Sequence, residues 1–333
     1  MGGSLFTFNF SAMSKKGIVR VVIFLGVLIL CDSIFGMFAK IIFYSQKTGK
    51  YARLTYLVKT DTSAIIILGS SHALKHFIPD IIQDSLHETV FNYGTNGQKL
   101  LFNKAIYEIR ARRSKPKMVI LNVDADWFFD KHNQQDRMSD LFPYHSIVGD
   151  IVFDNFSPKD RFMGDLKFLS RTFPYNSTIV HVIKYKLKPQ YDQRGYEPMD
   201  GAVDSLQFNA MLHSEGERSK MKWLEPAYDS SLVNLFSQLV DEINKDNVGL
   251  FVVFSPDLLQ PDRTEKYMDD KVKKICADKT VPTIDFSNSD VFNDRRLLFH
   301  DVSHLNDSGA RIFTKMLVDS IKVRMGHYGG GLH

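Results

Sequence analysis

Two cysteines, Cys31 and Cys276, are all that 333 residues contain, so no disulfide framework holds this chain together and its stability has to come from a packed core. Metal-finger spacing is missing with them. Charge of one sign is scarce too: 42 basic residues against 38 acidic ones give a formal net charge of +4. With no Lys/Arg stripe and no RNA-binding aromatic motif beside it, that balance excludes nucleic acid as the expected partner. Internal repeats are absent. At 44% hydrophobic and 24% charged positions, the chain has enough apolar material for one large core, or one core with an elaborated insertion.

Long apolar runs are also missing, with one exception. Val21 to Phe38 carries a single charge, Asp32, and is flanked by Lys15, Lys16 and Arg20 before it and Lys40 after it. A helix of about 18 to 20 such residues crosses a bilayer. A cleaved signal peptide has a shorter apolar centre and a small-x-small site before a polar start, neither of which is evident, so the run reads as an uncleaved anchor. The basic cluster ahead of it places the N-terminus inside and the rest of the chain outside the cytoplasm. The expected organisation is a cytoplasmic segment over 1–20, a single-pass membrane anchor over 21–43, a polar juxtamembrane linker over 44–62, an extracytoplasmic domain over 63–325 and a flexible tail over 326–333. Residues 1–12 read as an extension ahead of an ordinary start at Met13-Ser14-Lys15-Lys16. A carboxylate in lipid is costly when unpaired, which makes Asp32 an expected contact for another membrane protein.

Within the domain, the β-branched run Ala64 to Leu68 ends in Gly69-Ser70 and reads as a buried parallel strand. Helix to about Leu86 with a break at Pro79, a short strand to Asn92, a helix from Gln98 to Arg113 and a strand from Met118 to Val123 follow. Strand and helix alternating over short connections predict an α/β, doubly wound, flavodoxin-like parallel sheet. From about 128 to 229 the pattern dissolves into aromatic, basic and Pro/Gly punctuation, as expected of an inserted cap that covers or extends a site. Regularity returns with helices at Ser230 to Lys245, Glu265 to Lys279 and Ser308 to Arg324, and strands at Val248 to Phe254 and Pro282 to Asp285.

Two short motifs at opposite ends of the domain carry the chemistry. Gly69-Ser70-Ser71-His72 lies where the first strand turns into a helix, the point at which open α/β sheets place reacting groups. Asp301-Val302-Ser303-His304-Leu305-Asn306 sets an Asp three residues before a His, close enough for the carboxylate to reach imidazole Nδ1 and leave Nε2 free to take a hydroxyl proton. Together they supply a nucleophile, a base and an orienting acid. His72 and His76 lie four apart on a helix, but no third ligand accompanies them, and they read as helix-surface histidines rather than a metal site. No metal or cofactor is expected.

These motifs, together with the loop Asn92-x-Gly94-x-x-Gly97, resemble the first, second and last sequence blocks of the SGNH (GDSL-like) hydrolases. The likeness follows the order of elements through most of the domain and few positions in identity. It implies Ser71 as nucleophile, with Ser70 a turn residue, His304 as base, Asp301 as its acid, and the N–H groups of Ser71 and Gly97 as oxyanion donors. The family's third block, a Gly-x-Asn-Asp loop, is replaced by Asn122-Val123-Asp124-Ala125-Asp126. An ionised Asp124 there would oppose the developing oxyanion, and Asn122 is the candidate substitute donor.

An anchor ahead of such a domain resembles the membrane-bound acyl-transfer proteins of bacterial envelopes, such as D-alanyl transfer proteins and alginate acetyltransferases. That resemblance implies an acyl-ester substrate, a polysaccharide acceptor and a multi-span membrane O-acyltransferase as partner. The altered third block favours the alternative, a non-catalytic SGNH-like protein that binds glycan or scaffolds that partner.

Overall fold

A computed structural model describes residues 14–176, 178–219 and 227–327. Five parallel strands, β1 (Ile65–Leu68), β2 (Val90–Asn92), β3 (Met118–Asn122), β4 (Gly249–Phe254) and β5 (Thr283–Asp285), lie in the order β2-β1-β3-β4-β5. Ile65 pairs with Val90 on one side and Met118 on the other, and Met118 pairs with Gly249. This is the doubly wound order, with its switch point between β1 and β3.

Alternation along the strands builds two cores. Ile66, Leu68, Val119, Leu121 and Val252 face one side, while Ile65, Ile67, Ile120 and Val253 face the other. Both faces are buried, which is why these strands read as unbroken apolar runs. Helices α1 (Lys15–Tyr44), α2 (Gly49–Lys59), α3 (Ser71–His76), α4 (Pro79–Leu86) and α5 (Leu100–Arg113) precede a long insertion after β3. The insertion is mainly helical, with α6 (Lys131–Arg137), α7 (His145–Val152), α8 (Pro158–Lys167), α9 (Ile179–Leu187) and α10 (Ser205–Ser219). Then come α11 (Ser230–Lys245), α12 (Arg263–Asp278) and α13 (Asp307–His327). Buried residues of α2, α5, α11 and α12 belong to the first core, and those of α3, α4 and α13 to the second.

Three expectations need correction. The stretch 44–62 is no linker: α2 buries Tyr51, Leu54 and Leu57, and Asp61 forms a buried ion pair with Arg110 of α5 at 2.7 Å. Arg110, in the basic last turn of α5, is only 1% exposed. Second, helix α13 runs to His327, so 326 and 327 are helical rather than tail, and 328–333 lie outside the described residues, as do 1–12.

The third correction concerns Asp32. Helix α1 is long and apolar enough to cross a membrane. Its carboxylate accepts from Ser170 Oγ at 2.6 Å and from the backbone N–H groups of Arg171 and Thr172 at 2.7 and 3.2 Å. The chain satisfies Asp32 itself, which removes the reason for assigning it to a partner.

Candidate active site

The carboxyl ends of β1, β2, β3 and β4 and the loop before α13 surround a cleft of about 1160 Å³. Ser71, His72, Gly97, Asp124, Asp257 and His304 line it. Ser71 is the first residue of α3, so the helix uses neither its N–H nor, among the described residues, does any group bond its Oγ. Gly69 makes this tight exit from β1: a Cβ there would lie 2.6 Å from Ala73 Cβ and 3.0 Å from Asn122 Cβ. Gly97 has φ of +70°, and a Cβ on it would meet Arg137 Nη1 at 2.5 Å.

Side-chain amides hold these backbone turns in place. Asn103 Oδ1 accepts from Gly69 N at 2.8 Å. Asn92, at the end of β2, donates to Ala73 O and Phe77 O and accepts from Gly94 N, tying the Gly94–Gly97 loop to α3.

Asp301 and His304 meet as their spacing predicts. Both carboxylate oxygens lie 2.9 Å from His304 Nδ1, and Oδ1 also accepts the N–H groups of Ser303 and His304. Burial pushes the Asp301 carboxyl up, but these donors outweigh it and hold the group below the usual carboxylate range. An ionised acceptor assigns the proton to Nδ1, leaving Nε2 of the neutral ring as the lone pair. That atom is buried in the cleft wall without a hydrogen-bond partner.

The Asp301–His304 loop and α3 are joined by His76. Its Nε2 accepts from Leu305 N at 3.0 Å, one residue past His304, and its backbone carbonyl accepts from Thr314 Oγ1 of α13. Burial, with His72 and His304 nearby, keeps the His76 ring well below the ordinary histidine range and therefore neutral. His76 is 0% exposed, so the surface reading of this residue was mistaken.

His72 was misread in the same way. Its Nδ1 lies 2.7 Å from Asp124 Oδ1, and its Nε2 lies 3.3 Å from Asp257 Oδ1 in an ion pair without hydrogen-bond alignment. Burial disfavours a charged ring, yet Asp124 and Asp257 outweigh it and hold His72 well above the ordinary range. Asp124 also accepts from Ser70 Oγ. Despite its own burial, it is held low by His72 and that hydroxyl. The carboxylate expected to oppose an oxyanion is thus neutralised in place, and Ser70 is engaged rather than free.

Asn122 does not serve as the substitute donor. Its Nδ2 bonds Val253 O at 3.2 Å and Ser255 Oγ at 3.1 Å, and the residue is fully buried beneath the cleft floor. Its amide is spent on β4 and the residue that follows it, and Asn122 does not line the cleft. Among the described residues no group of three or more His, Cys, Asp or Glu side chains is placed to hold a metal.

Asp124 and Asp257 follow β3 and β4, and His72 follows β1 by four residues. Their signal in the sequence was position alone: chemistry-bearing residues just past strand ends. The insertion, expected as a cap, contributes little to this cleft, with Phe129, Met211 and Ser214 as its lining residues among those described.

No family model and no curated protein matches the sequence. Solved structures resemble it in shape. A lipase/acylhydrolase from Enterococcus faecalis is 12% identical, covering 78% of this chain and 95% of that one with a TM-score of 0.40. An acetylxylan esterase from Geobacillus stearothermophilus, solved as a catalytic mutant, is 10% identical over 78% and 94% with a TM-score of 0.40. A GDSL-like lipase from Bacteroides thetaiotaomicron is 6% identical over 84% and 100% with a TM-score of 0.41.

Proposed function

We propose that this chain is a serine acyl-transfer enzyme, tethered by α1 to the bacterial inner membrane, with its cleft outside the cytoplasm. The observation that carries the proposal is the Asp301–His304 pair, whose Nε2 has no hydrogen-bond partner and whose residue lines the same cleft as the unengaged Ser71 at a helix N-terminus. Ser71 Oγ attacks the carbonyl carbon of an acyl ester and its proton passes to His304 Nε2. The intermediate's oxygen is held by the N–H groups of Ser71 and Gly97, helped by the positive end of α3. Collapse expels the alcohol, which takes the proton from His304. An acceptor hydroxyl, from a sugar or from water, then returns its proton to His304 as it attacks the acyl-serine, and Ser71 is regenerated.

A cleft of about 1160 Å³ suits an extended acceptor, and polysaccharide is the acceptor class we assign. A multi-span membrane O-acyltransferase is the donor partner that a membrane-tethered serine enzyme requires for acyl groups made inside the cell.

The experiment is hydrolysis of an activated acetate ester by the purified full chain. Ser71→Ala, His304→Ala and the double variant should fall to the same low rate, because members of one catalytic unit are non-additive. Multiplicative losses would assign the two residues separate structural roles. The rival, a glycan-binding protein without turnover, is favoured by the unavailable Asn122 amide and predicts no rate above the Ser71→Ala background in any variant.

A further inference from the structure

The insertion carries an apolar surface that the proposed active site does not use. On α8, Phe162 and Leu166 are exposed, with Leu169 just beyond the helix 79% exposed; on α9, Val180, Ile183 and Leu187 are exposed, the last at 83%. Spacings of 162, 166, 169 and of 180, 183, 187 put each set on one face of its helix. Apolar faces left exposed on two consecutive helices mark a binding surface.

Its occupant follows from where the link between these helices is fastened. Residues 170–172 clasp Asp32 through the three contacts described above, and Thr172 Oγ1 adds a bond to Asp32 O at 3.0 Å. Arg171 also crosses α1 closely: a Cβ on Gly36 would lie 2.6 Å from its backbone. Further along, Lys186 Nζ donates to Ser45 Oγ at 2.8 Å. The insertion therefore runs beside the part of α1 from Asp32 to Ser45, about 20 Å at the usual helical rise.

If Arg20 marks the inner boundary, a hydrocarbon core of about 30 Å ends near residue 40, which sets Asp32 about 12 Å inside the outer boundary. At that depth backbone N–H groups need internal partners, and so does a carboxylate. Asp32 and the 170–172 link satisfy one another. Around the apolar face, residues 158–188 hold seven Lys or Arg against two Asp, a net of +5. Apolar faces rimmed by cations suit a leaflet containing anionic headgroups.

We infer that α8 and α9 lie in the outer leaflet of the membrane that α1 crosses, so that the insertion seats the domain on the bilayer and the tether is not a free leash. This rests on α1 spanning the membrane. The test places a fluorophore on single cysteines in a Cys31→Ser, Cys276→Ser background of the full chain. The sites are Val27→Cys in the span, Leu166→Cys and Ile183→Cys on the insertion, and Lys274→Cys on remote exposed surface. The chain is reconstituted in nanodiscs of phosphatidylethanolamine and phosphatidylglycerol, with or without brominated acyl chains. Quenching at 27, 166 and 183 but not at 274 is the expected result. Quenching at 27 with none at 166 and 183 would overturn the seating while leaving the anchor in place. No quenching at 27 would overturn the anchor, and the seating with it.

Discussion

At residue scale, the site turns on a histidine that the sequence offered without advertising. Ser71, Asp301 and His304 could be picked out because the residue types that the proposed reaction needs stand there at characteristic spacings. His72 was not, since nothing in one sequence says that residues 124 and 257 converge on residue 72. We predict that His72→Gln lowers the rate of ester hydrolysis about ten- to a hundredfold through kcat, by leaving the Asp124 charge beside the oxyanion. The double variant His72→Gln, Asp124→Asn should recover much of the loss. If the second substitution deepens it, charge neutralisation is not what His72 supplies. Asp269 lines the same cleft at 7% exposure, and burial pushes its carboxyl up to about 8, with Asp285, Glu265 and Asp124 adding to the shift and Lys273 opposing it. A carboxyl raised in the folded state contributes stability that is complete below its unfolded value near 3.8 and is lost as pH rises through about 8. Asp269→Asn should therefore gain in Tm over the parent progressively from pH 5 to pH 8 and level off above it. A constant difference across that range would show that Asp269 is ionised throughout.

At element scale, strands and amphipathic helices were the most readable features. Val/Ile/Leu-rich runs named β1, β3 and β4, shorter segments between turn residues named β2 and β5, and α11 was placed to the residue, because period and caps agree there. The insertion resisted reading because its helices are mostly short and leave apolar residues exposed, so the usual contrast between a buried apolar face and a polar outer one is lost. The 44–62 stretch failed for a different reason: its polar residues are partnered from distant elements, Asp61 by Arg110 and Arg53 by Asp192 and Glu197. Both Asp61 and Arg110 are essentially inaccessible to solvent, so Asp61→Ala should destabilise the domain by about 3–5 kcal/mol in chemical denaturation, the cost of stranding a buried guanidinium. A change below about 1 kcal/mol would mean that water reaches Arg110 and that 44–62 behaves as a linker after all.

At the scale of the whole molecule, the doubly wound sheet was legible from element order and the pairing of its two end motifs from resemblance, whereas the side chain that joins them was not. Short α3 performs that assembly: Ser71 begins it, and His76 near its end receives the N–H of Leu305 from the base loop. Bringing Ser71 and His304 to one cleft is what lets two weak motifs support the proposed site. The most direct measurement of that claim is site-mapped labelling of the purified full chain with a fluorophosphonate, read by mass spectrometry of the modified peptide. The adduct should fall on Ser71, persist in Ser70→Ala and vanish in Ser71→Ala and His304→Ala. An adduct on Ser70, or none on a chain whose fold is intact by circular dichroism, would contradict the account.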